Sequence, residues 1–372
     1  MKVVLIGGHL SPALALLDTF SSSDEVVFFG RKFAFANDTQ PSLEYQTVTD
    51  LGIRFVSIRT GRVQRNLSFG SVREVTKIPV GFWQAYKELQ KIKPDVVVGF
   101  GGYLSVPVCL AAKTLGIPVV IHEQTLEAGL ANKVLSRFAD KICVSWENSV
   151  QFFPKDKVVI TGNPVKKFGS EKSTLILLER EKNLPLLYVT GGSTGAHALN
   201  VLVEESLTTL LEKYRVIHQT GEASEFDDFT RLSAMQARFP AQLQSRYHLE
   251  KFIPPLSVGD IMQQADLVVS RSGINTVTEI LFFGVPALFI PLPVGQRNEQ
   301  LKNAEFVKKI GLAEITQQRS TTAESLVQKI EQMLLNIHTY KAHKDEAKSF
   351  VIPNAAQKIS EILSYVVKKT ST

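Results

Sequence analysis

One segment, residues 99–124, restricts the fold of this chain more than any other. It holds a strand end, a glycine turn, a helix and a second strand in direct succession. Such a strand–helix–strand unit is the building block of parallel sheets. His122, Glu123 and Gln124 close its second strand. Because ligands bind at the carboxyl edge of open parallel sheets, the sequence predicts an α/β protein with functional side chains at this edge.

The length and composition favour a soluble protein of two domains. A chain of 372 residues exceeds one ordinary core, and its 44% hydrophobic and 21% charged residues are typical of globular proteins. The apolar run at residues 2–6 is too short for a signal peptide, and 281–294 is shorter than a spanning helix and interrupted by prolines. We expect a cytosolic protein without a transmembrane helix, in which Cys109 and Cys143 are reduced core thiols.

Short apolar strands alternate with amphipathic helices through both halves, which predicts two doubly wound, Rossmann-like domains facing across a cleft. We place the domains at 1–164 and 165–345, joined by a connection at 166–183. The segment 346–372 forms a last helix able to pack on either domain. The predicted strands are 2–6, 26–29, 95–98, 118–121, 141–144, 158–160, 186–190, 215–219, 248–252, 266–270 and 286–290.

Two glycine turns in the second half favour nucleotide binding. Residues 189–196, Val-Thr-Gly-Gly-Ser-Thr-Gly-Ala, follow a strand and open a helix, so that backbone amides converge where an anion would lie. The turn matches neither a Walker loop nor Gly-x-Gly-x-x-Gly, and a tight turn without a ligand is the alternative. In the second turn, residues 269–279, a helix begins after Gly273, and Glu279 can accept two hydrogen bonds from a ribose diol. Alone, Glu279 would be an ordinary surface acid near a helix start.

Polar side chains elsewhere extend this hypothesis. Gln300 and Asn303 follow a proline-rich loop and can bind sugar hydroxyls, unless they belong to a plain solvated turn. Gly7, Gly8 and His9 end the first strand, and an imidazole there can take up a proton. A structural histidine is the alternative reading of His9.

A basic and aromatic segment in the first half suits an anionic membrane. Between residues 54 and 93, nine Lys or Arg stand against two Glu, and the net charge of the chain is +6. Cations beside exposed apolar groups bind anionic lipid surfaces. Nucleic acid and a merely solvated face are the alternatives, and we expect no nucleic-acid partner. The predicted membrane patch consists of Arg73, Lys77, Ile78, Val80, Phe82 and Trp83.

The chain resembles the bacterial N-acetylglucosaminyltransferases that complete lipid II, which are glycosyltransferases of the GT-B fold. The resemblance runs nearly end to end. It is carried by Gly101-Gly-Tyr-Leu-Ser105, Leu115-Gly-Ile-Pro-Val-Val-Ile-His-Glu-Gln124, Gly129-Leu-Ala-Asn-Lys133, Gly162-Asn-Pro-Val165, Gly191-Gly-Ser-Thr-Gly-Ala196, Arg271-Ser-Gly273 with Glu279, and Gln300 with Asn303-Ala304.

The resemblance implies roles for individual residues. Ser193 would lie near the donor diphosphate, Glu279 on the ribose, the Phe252-Ile253 backbone at uracil and Gln300 at the sugar. The further donor-binding candidates are Lys166, Thr194, Gly195, Arg271, Ser272, Gly273 and Asn303. The acceptor-binding candidates are Gly7, Gly8, Gly102, Tyr103, Thr125 and Asn132. His9 is the first candidate for the catalytic base, and Glu123 is its rival.

Four positions depart from the family pattern. The first glycine loop usually reads Gly-Gly-Thr-Gly-Gly-His, whereas only residues 7–9 remain here, so the cradle for the acceptor diphosphate is shorter. Thr125, Lys166 and Thr194 replace the usual Asn, Arg and Gln. Lys keeps the charge of Arg but loses its forked geometry.

The resulting hypothesis is an inverting transfer of N-acetylglucosamine from UDP-N-acetylglucosamine to the C4 hydroxyl of undecaprenyl-linked N-acetylmuramic acid, on the cytoplasmic face of the inner membrane. No cofactor is expected, and the chain lacks an Asp-x-Asp sequence that would anchor a metal. Three alternatives stay open: a related enzyme with another lipid acceptor such as diacylglycerol, a UDP-N-acetylglucosamine epimerase, or a non-catalytic UDP-sugar-binding subunit. A nicotinamide dinucleotide turn at 99–102 fails on its glycine spacing.

Overall fold

The computed structural model describes residues 1–33, 41–61, 78–166, 183–223, 225–293 and 298–371. The chain separates into two compact units, Met1–Val165 with Ile352–Thr372, and Lys166–Val351. The C-terminal segment therefore belongs with the first unit from residue 352 onward, and 346–351 stay with the second. Most of the predicted connection, 167–182, lies outside the described residues.

The first unit is built on a parallel sheet. Within the described residues its strands are β1 (Lys2–Ile6), β2 (Glu25–Gly30), β3 (Arg54–Ser57), β4 (Val96–Gly99), β5 (Val119–Glu123), β6 (Lys141–Val144) and β7 (Val158–Ile160). They lie in the order β3-β2-β1-β4-β5-β6-β7, and neighbours pair in parallel. The order reverses between β1 and β4, the point at which doubly wound sheets bind ligands.

Helices cover both faces of this sheet because its strands are apolar on both sides. Val3 and Leu5 pack into one core, and Val4 and Ile6 pack into the other, as the two-residue period of a strand requires. Before the second unit the helices are α1 (Leu10–Leu17), α2 (Leu43–Asp50), α3 (Ile78–Ile92), α4 (Gly102–Thr114) and α5 (Leu130–Leu135), with a 3₁₀ turn at Glu147–Phe152.

The second unit repeats the plan. Its described strands are β8 (Leu186–Thr190), β9 (Arg215–Gln219), β10 (Tyr247–Glu250), β11 (Leu267–Ser270), β12 (Ala287–Phe289) and β13 (Ala313–Ile315). They form a parallel sheet in the order β10-β9-β8-β11-β12-β13. Its order reverses between β8 and β11, which places the glycine turns after these two strands side by side.

The helices of the second unit and the C-terminal helix complete the described fold. They are α6 (His197–Lys213), α7 (Asp228–Gln236), α8 (Ala241–Arg246), α9 (Pro255–Gln264), α10 (Ile274–Phe283), α11 (Glu299–Ile310), α12 (Ala323–Leu335), α13 (Ile337–Lys341), α14 (Lys344–Ser349) and α15 (Ala355–Ser371). In α15, Ile359, Leu363 and Val366 recur at helical spacing and pack into the core that contains Val3 and Leu5. The last helix thus covers one face of the first sheet.

The two parallel α/β units confirm the predicted fold class, and every predicted strand is present to within two residues. The sequence reading missed β3 and β13, which both lie at sheet edges. In β3, Arg54 and Ser57 are exposed, so no continuous apolar run marks the strand. Cys109 and Cys143 are buried free thiols, as expected. Among the described helices, none is long and apolar enough to cross a membrane.

Candidate functional site

The first glycine turn places His9 at the carboxyl edge of the first sheet. Gly8 has a φ of 149°, and a Cβ there would lie 2.6 Å from the Gly101 carbonyl oxygen, so only glycine fits. His9 is the N-cap residue of α1 and is half-buried. Burial lowers the pKa of its imidazole to about 4. The ring is therefore neutral at pH 7 and able to accept a proton.

A second glycine turn, between β4 and α4, faces the first. Gly101 and Gly102 have φ values of 80° and 74°, in the left-handed region that favours glycine. A Cβ on Gly101 would lie 3.9 Å from the His9 ring, which brings the two turns into contact. Tyr103 follows directly, and its hydroxyl accepts a hydrogen bond from the Arg31 guanidinium, whose carbon lies 5.6 Å from the ring centroid.

Glu123 is committed to holding the loop that follows β5. Its Oε1 accepts hydrogen bonds from Thr125 N at 3.0 Å and Thr125 Oγ1 at 2.6 Å. Its Oε2 accepts from Gly129 N at 2.8 Å and Asn132 Nδ2 at 3.0 Å. The side chain is 3% exposed. Both oxygens of this carboxylate therefore position Thr125 and Asn132, and the structure joins these three predicted residues in one internal network.

His122 is a buried structural neighbour of this edge. Its Nε2 lies 3.1 Å from the Gly162 carbonyl oxygen and 3.2 Å from Ser145 Oγ. Burial lowers the pKa of the imidazole to about 4, so the ring stays neutral. It ties the end of β5 to the segment after β7.

The predicted membrane patch is partly described. On α3, the side chains of Val80 and Trp83 are 51% and 58% exposed. Phe82 lies edge-on to Trp83 with ring centroids 5.5 Å apart and is half-buried, as is Ile78. Arg73 and Lys77 lie outside the described residues. Helix α3 thus presents an apolar and aromatic face to solvent.

In the second unit, the turn at residues 191–195 is held by its own backbone. Gly192 N donates to Thr190 Oγ1 at 3.0 Å, and Gly195 N donates to the Gly192 carbonyl at 3.1 Å. Gly195 has a φ of 86°, and a Cβ there would meet the Thr220 carbonyl oxygen at 2.1 Å. Ser193 and Thr194 point outward with exposed side chains. The turn therefore offers polar groups on a fixed loop.

The turn after β11 is joined to the start of α11. Ser272 Oγ donates to the Gln300 carbonyl at 2.7 Å, and Asn303 Nδ2 donates to the Ser272 carbonyl at 3.0 Å. The Gln300 side chain accepts from Leu292 N at 2.9 Å. A Cβ on Gly273 would have no atom of the described residues within 4 Å. Ser272 is therefore a direct neighbour of Gln300 and Asn303, although about thirty positions separate them along the chain. Open space lies in front of Gly273.

Glu279, on α10, is a carboxylate with a strongly raised pKa. Burial raises the pKa of its carboxyl to about 7. Burial also raises the pKa of the neighbouring Tyr188 hydroxyl, with a smaller contribution from the charge of Glu279. Within the described residues, its carboxylate has no hydrogen bond and no ion pair. A half-buried carboxylate without a partner suits a ligand that brings hydroxyl donors.

Arg271 and Lys166 differ in their surroundings. The Arg271 guanidinium is 7% exposed and donates to the Ile290 carbonyl at 2.7 Å and to Gln318 Oε1 at 2.5 Å. It therefore holds β11, β12 and the loop after β13 together. Lys166 is the first residue of the second unit and is half-buried.

Gln219, the last residue of β9, is a member of this site that the sequence reading missed. Its Nε2 donates to the Gly192 carbonyl at 3.0 Å, and its Oε1 accepts from Ile253 N at 3.2 Å. Because Gln219 occupies the Ile253 N–H, a uracil can use this donor only if that side chain turns away. Phe252 is half-buried beside it. The signal for Gln219 was a polar residue at a predicted strand end.

A second missed cluster follows the 191–195 turn. His197 Nδ1 lies 2.8 Å from Asp228 Oδ1, and Asn200 Nδ2 donates to Asp228 Oδ2 at 2.7 Å. The His197 ring stacks on Phe226 with centroids 3.8 Å apart. This network fixes the start of α6. Among the described residues, no group of three or more His, Cys, Asp or Glu could hold a metal ion.

Both units match models of one enzyme class. The glycosyltransferase family 28 N-terminal domain matches residues 6–144, and the glycosyltransferase family 28 C-terminal domain matches residues 186–359. Together they include both glycine-rich sheet edges. The fold and the site therefore define a GT-B glycosyltransferase of family 28.

Individual relatives identify the family more closely. A UDP-N-acetylglucosamine--N-acetylmuramyl-(pentapeptide) pyrophosphoryl-undecaprenol N-acetylglucosamine transferase of Bacillus cereus is 34% identical over 369 residues, covering 98% of this chain and 97% of the relative. Its Treponema denticola counterpart is 36% identical over 318 residues, covering 83% and 81%. The crystal structure of Acinetobacter baumannii MurG superposes with a TM-score of 0.67 at 29% identity, covering 98% and 99%. The chain belongs to the MurG family of N-acetylglucosaminyltransferases.

A similar fold occurs in a different enzyme. A Neisseria meningitidis UDP-GlcNAc 2-epimerase gives a TM-score of 0.66 at 16% identity, which shows a shared fold alone. The epimerase alternative therefore gains no support beyond the GT-B architecture.

Proposed function

We propose that this enzyme transfers N-acetylglucosamine from UDP-N-acetylglucosamine to the C4 hydroxyl of lipid-linked N-acetylmuramic acid, with inversion at the anomeric carbon. The observation that carries the proposal is the edge of the second sheet, where the neighbouring strands β8 and β11 end. The exposed glycine turn follows β8, and the open space before Gly273 follows β11. Glu279, on the helix after that turn, has a raised pKa and no partner among the described residues. Nucleoside diphosphate sugars need these features: amides for phosphates, a carboxylate for the ribose diol and polar groups for the sugar.

The donor is assigned to the second unit residue by residue. The 191–195 turn, with Ser193, Thr194 and Gly195, faces the diphosphate, and Glu279 accepts from the ribose hydroxyls. Gln300 and Asn303 lie at the sugar, where the hydrogen bonds to Ser272 hold them in place. Lys166 supplies a cation to the departing diphosphate, whereas the buried Arg271 acts by fixing the loops around it.

The acceptor is assigned to the first unit, with His9 as the catalytic base. Its rival, Glu123, already accepts four hydrogen bonds and lies below the surface, so it positions Thr125 and Asn132 instead. His9 is neutral because its pKa is about 4. An anionic acceptor bound beside it raises that pKa and so strengthens the base when substrate is present.

We assign the membrane contact to α3. An undecaprenyl chain stays in the bilayer, so the enzyme must work at the membrane surface, and no described helix spans it. Val80 and Trp83 supply exposed apolar area. The excess of Lys and Arg in the sequence from residue 54 to residue 93 is attracted to anionic lipid. The assignment places the enzyme on the cytoplasmic face as a peripheral protein.

Incubation with labelled UDP-N-acetylglucosamine and a short-chain lipid I analogue tests the function. We expect a β-1,4-linked disaccharide and free UDP. Parallel reactions with diacylglycerol and without acceptor separate the alternatives, because product only with diacylglycerol identifies another acceptor and epimerised UDP-sugar identifies an epimerase. Binding of UDP-sugar without any product contradicts a catalytic role.

The role of His9 is tested by the substitution His9→Ala. General base catalysis contributes about 10²–10⁴-fold, so kcat falls by this factor while KM for UDP-N-acetylglucosamine stays within about twofold. A turnover equal to that of the wild type removes His9 from the mechanism.

A further inference from the structure

The shortened first glycine turn is filled by a carboxylate of the chain itself. Glu44, in the first turn of α2, accepts a hydrogen bond from Arg31 N at 3.1 Å and lies beside Gly8. A Cβ on Gly7 would lie 2.0 Å from Glu44 Oε1, and a Cβ on Gly30 would lie 2.5 Å from Oε2. The carboxylate therefore lies directly over the ends of β1 and β2, against both glycines.

This arrangement changes what the turn can bind. The Glu44 carboxylate occupies the space at the turn, and its negative charge repels a phosphate there. An acceptor with a pyrophosphate consequently needs a compensating cation at the same edge.

Arg31 is that cation by position and by chemistry. It is the first residue after β2, and its guanidinium donates to the Tyr103 hydroxyl and lies over the Tyr103 ring. Among the described residues, the guanidinium forms no salt bridge. Tyr103 follows Gly102, which faces Gly8 across the two turns. The neighbouring Lys32 turns elsewhere, with its Nζ 5.7 Å from the Phe33 ring centroid and 5.2 Å from that of Tyr45.

We propose that Arg31 binds the acceptor pyrophosphate and is a specificity-determining residue of this enzyme. The inference rests on the proposed function. It assigns the binding of the pyrophosphate to the forked guanidinium of Arg31, because the short first glycine turn offers fewer backbone amides. Two parallel N–H donors match two phosphate oxygens, and the Tyr103 ring and hydroxyl hold the side chain ready.

The test compares Arg31→Gln, Arg31→Lys and the control Lys32→Gln on a short-chain lipid I analogue. We expect Arg31→Gln to raise KM for the acceptor about 10- to 100-fold without changing KM for UDP-N-acetylglucosamine, since hydrogen bonds between charged groups are the strong ones. The acceptor KM of Arg31→Lys lies between those of the wild type and Arg31→Gln, and the acceptor KM of Lys32→Gln equals that of the wild type. Thermal midpoints within about 2 °C of the wild type establish that the variants are folded.

A second experiment measures acceptor binding directly, without enzymatic turnover. Calorimetric titration without donor compares the pyrophosphate analogue with the same lipid carrying a single phosphate. The wild type favours the pyrophosphate, and Arg31→Gln loses most of that preference. Equal acceptor binding by the wild type and Arg31→Gln overturns the role of Arg31 but leaves the proposed function intact. Absence of any acceptor binding and product in the wild type overturns both.

Discussion

The carboxyl edges of the two sheets have the same strand topology, but a glutamate at each edge differs in its hydrogen-bond partners. In the first unit, Glu123 ends a strand and gives both oxygens to hydrogen bonds within its own loop. In the second, Glu279 keeps a half-buried carboxylate without a hydrogen bond among the described residues, at the cost of a pKa raised to about 7. A glutamate thus stabilises a loop in the first unit, whereas in the second unit a glutamate is available to bind a ligand.

The difference teaches how to separate scaffold from site in a pseudo-repeated architecture. Motif spacing alone nominated both glutamates, because both lie at carboxyl edges of parallel sheets. Only the partners of each carboxylate distinguish them. A buried acceptor whose hydrogen bonds are satisfied stabilises the fold, whereas an unsatisfied one stores free energy that a ligand can release.

The substitution Glu123→Ala has the largest expected effect. It leaves the donors of Thr125, Gly129 and Asn132 without an acceptor, and we expect a loss of about 3 kcal/mol in unfolding free energy. Hydrogen exchange measured by mass spectrometry locates the loss in peptides of the first unit. Glu279→Ala is the matched control, with unchanged exchange in that unit. Wild-type protection in Glu123→Ala would break the comparison.

The substitution Gly195→Ala tests whether the donor edge is rigid. The Cβ clashes with the Thr220 carbonyl at 2.1 Å, and we expect about 2–3 kcal/mol of destabilisation, read from chemical denaturation of the second unit. Gly192→Ala is the control, since its φ of 83° is equally unusual but its Cβ meets nothing within 4 Å. If both variants lose the same stability, backbone strain alone governs this turn.

The substitution Glu279→Gln separates binding from stability. We expect affinity for UDP-N-acetylglucosamine to fall about tenfold at pH 8, or about 1.4 kcal/mol, as one charged acceptor of the ribose diol is lost. Wild-type affinity rises between pH 6 and 8 as Glu279 ionises, because its pKa is about 7. Titration calorimetry at both pH values checks this. A wild-type affinity that does not change with pH contradicts the assignment.

Glu279 also makes the stability of the second unit depend on pH. Its carboxyl titrates near 4.5 when unfolded and near 7 when folded, so its contribution is present below pH 4.5 and is lost as pH rises through 7. Because one pKa unit corresponds to about 1.4 kcal/mol, we expect Glu279→Gln to gain about 2–3 kcal/mol in unfolding free energy relative to the wild type between pH 5 and pH 8. Denaturation at the two pH values measures the difference, and parallel curves for both proteins count against it.

The smallest expected effect belongs to the membrane face of the first unit. Trp83→Ala weakens sedimentation with anionic phospholipid vesicles about fivefold, since an exposed indole is lost from α3. Tyr365→Ala on α15 is the matched control, because that aromatic side chain is 56% exposed on the same unit. Equal losses in the two variants argue against a localised patch.

The sequence predicted what local patterns encode. Strands β1 and β8 are continuous apolar runs, so the sequence predicts them directly. The turn after β11 is predicted by a glycine that precedes a helix. The edge strands β3 and β13 were missed because half-exposed strands need fewer apolar residues. Domain roles and the assigned site residues remain predictions from motif and family.

Contacts between positions that are distant in the sequence could not be predicted from it. No local pattern shows that Gln219 reaches Gly192 or that Glu44 reaches Gly7, since these pairs come together only when parallel strands align. The sequence equally could not show that Glu123 is saturated by a loop six to nine residues downstream. Such contacts across a sheet edge are a property of the fold.

The return of α15 to the first unit has a consequence for synthesis. Ile359, Leu363 and Val366 cover one face of a sheet whose strands all precede the second unit in the chain. During synthesis that apolar face stays uncovered until α15 has left the ribosome, and by then every described strand of the second unit has been made. The domain made first is therefore completed last, and it is the nascent species most in need of a chaperone.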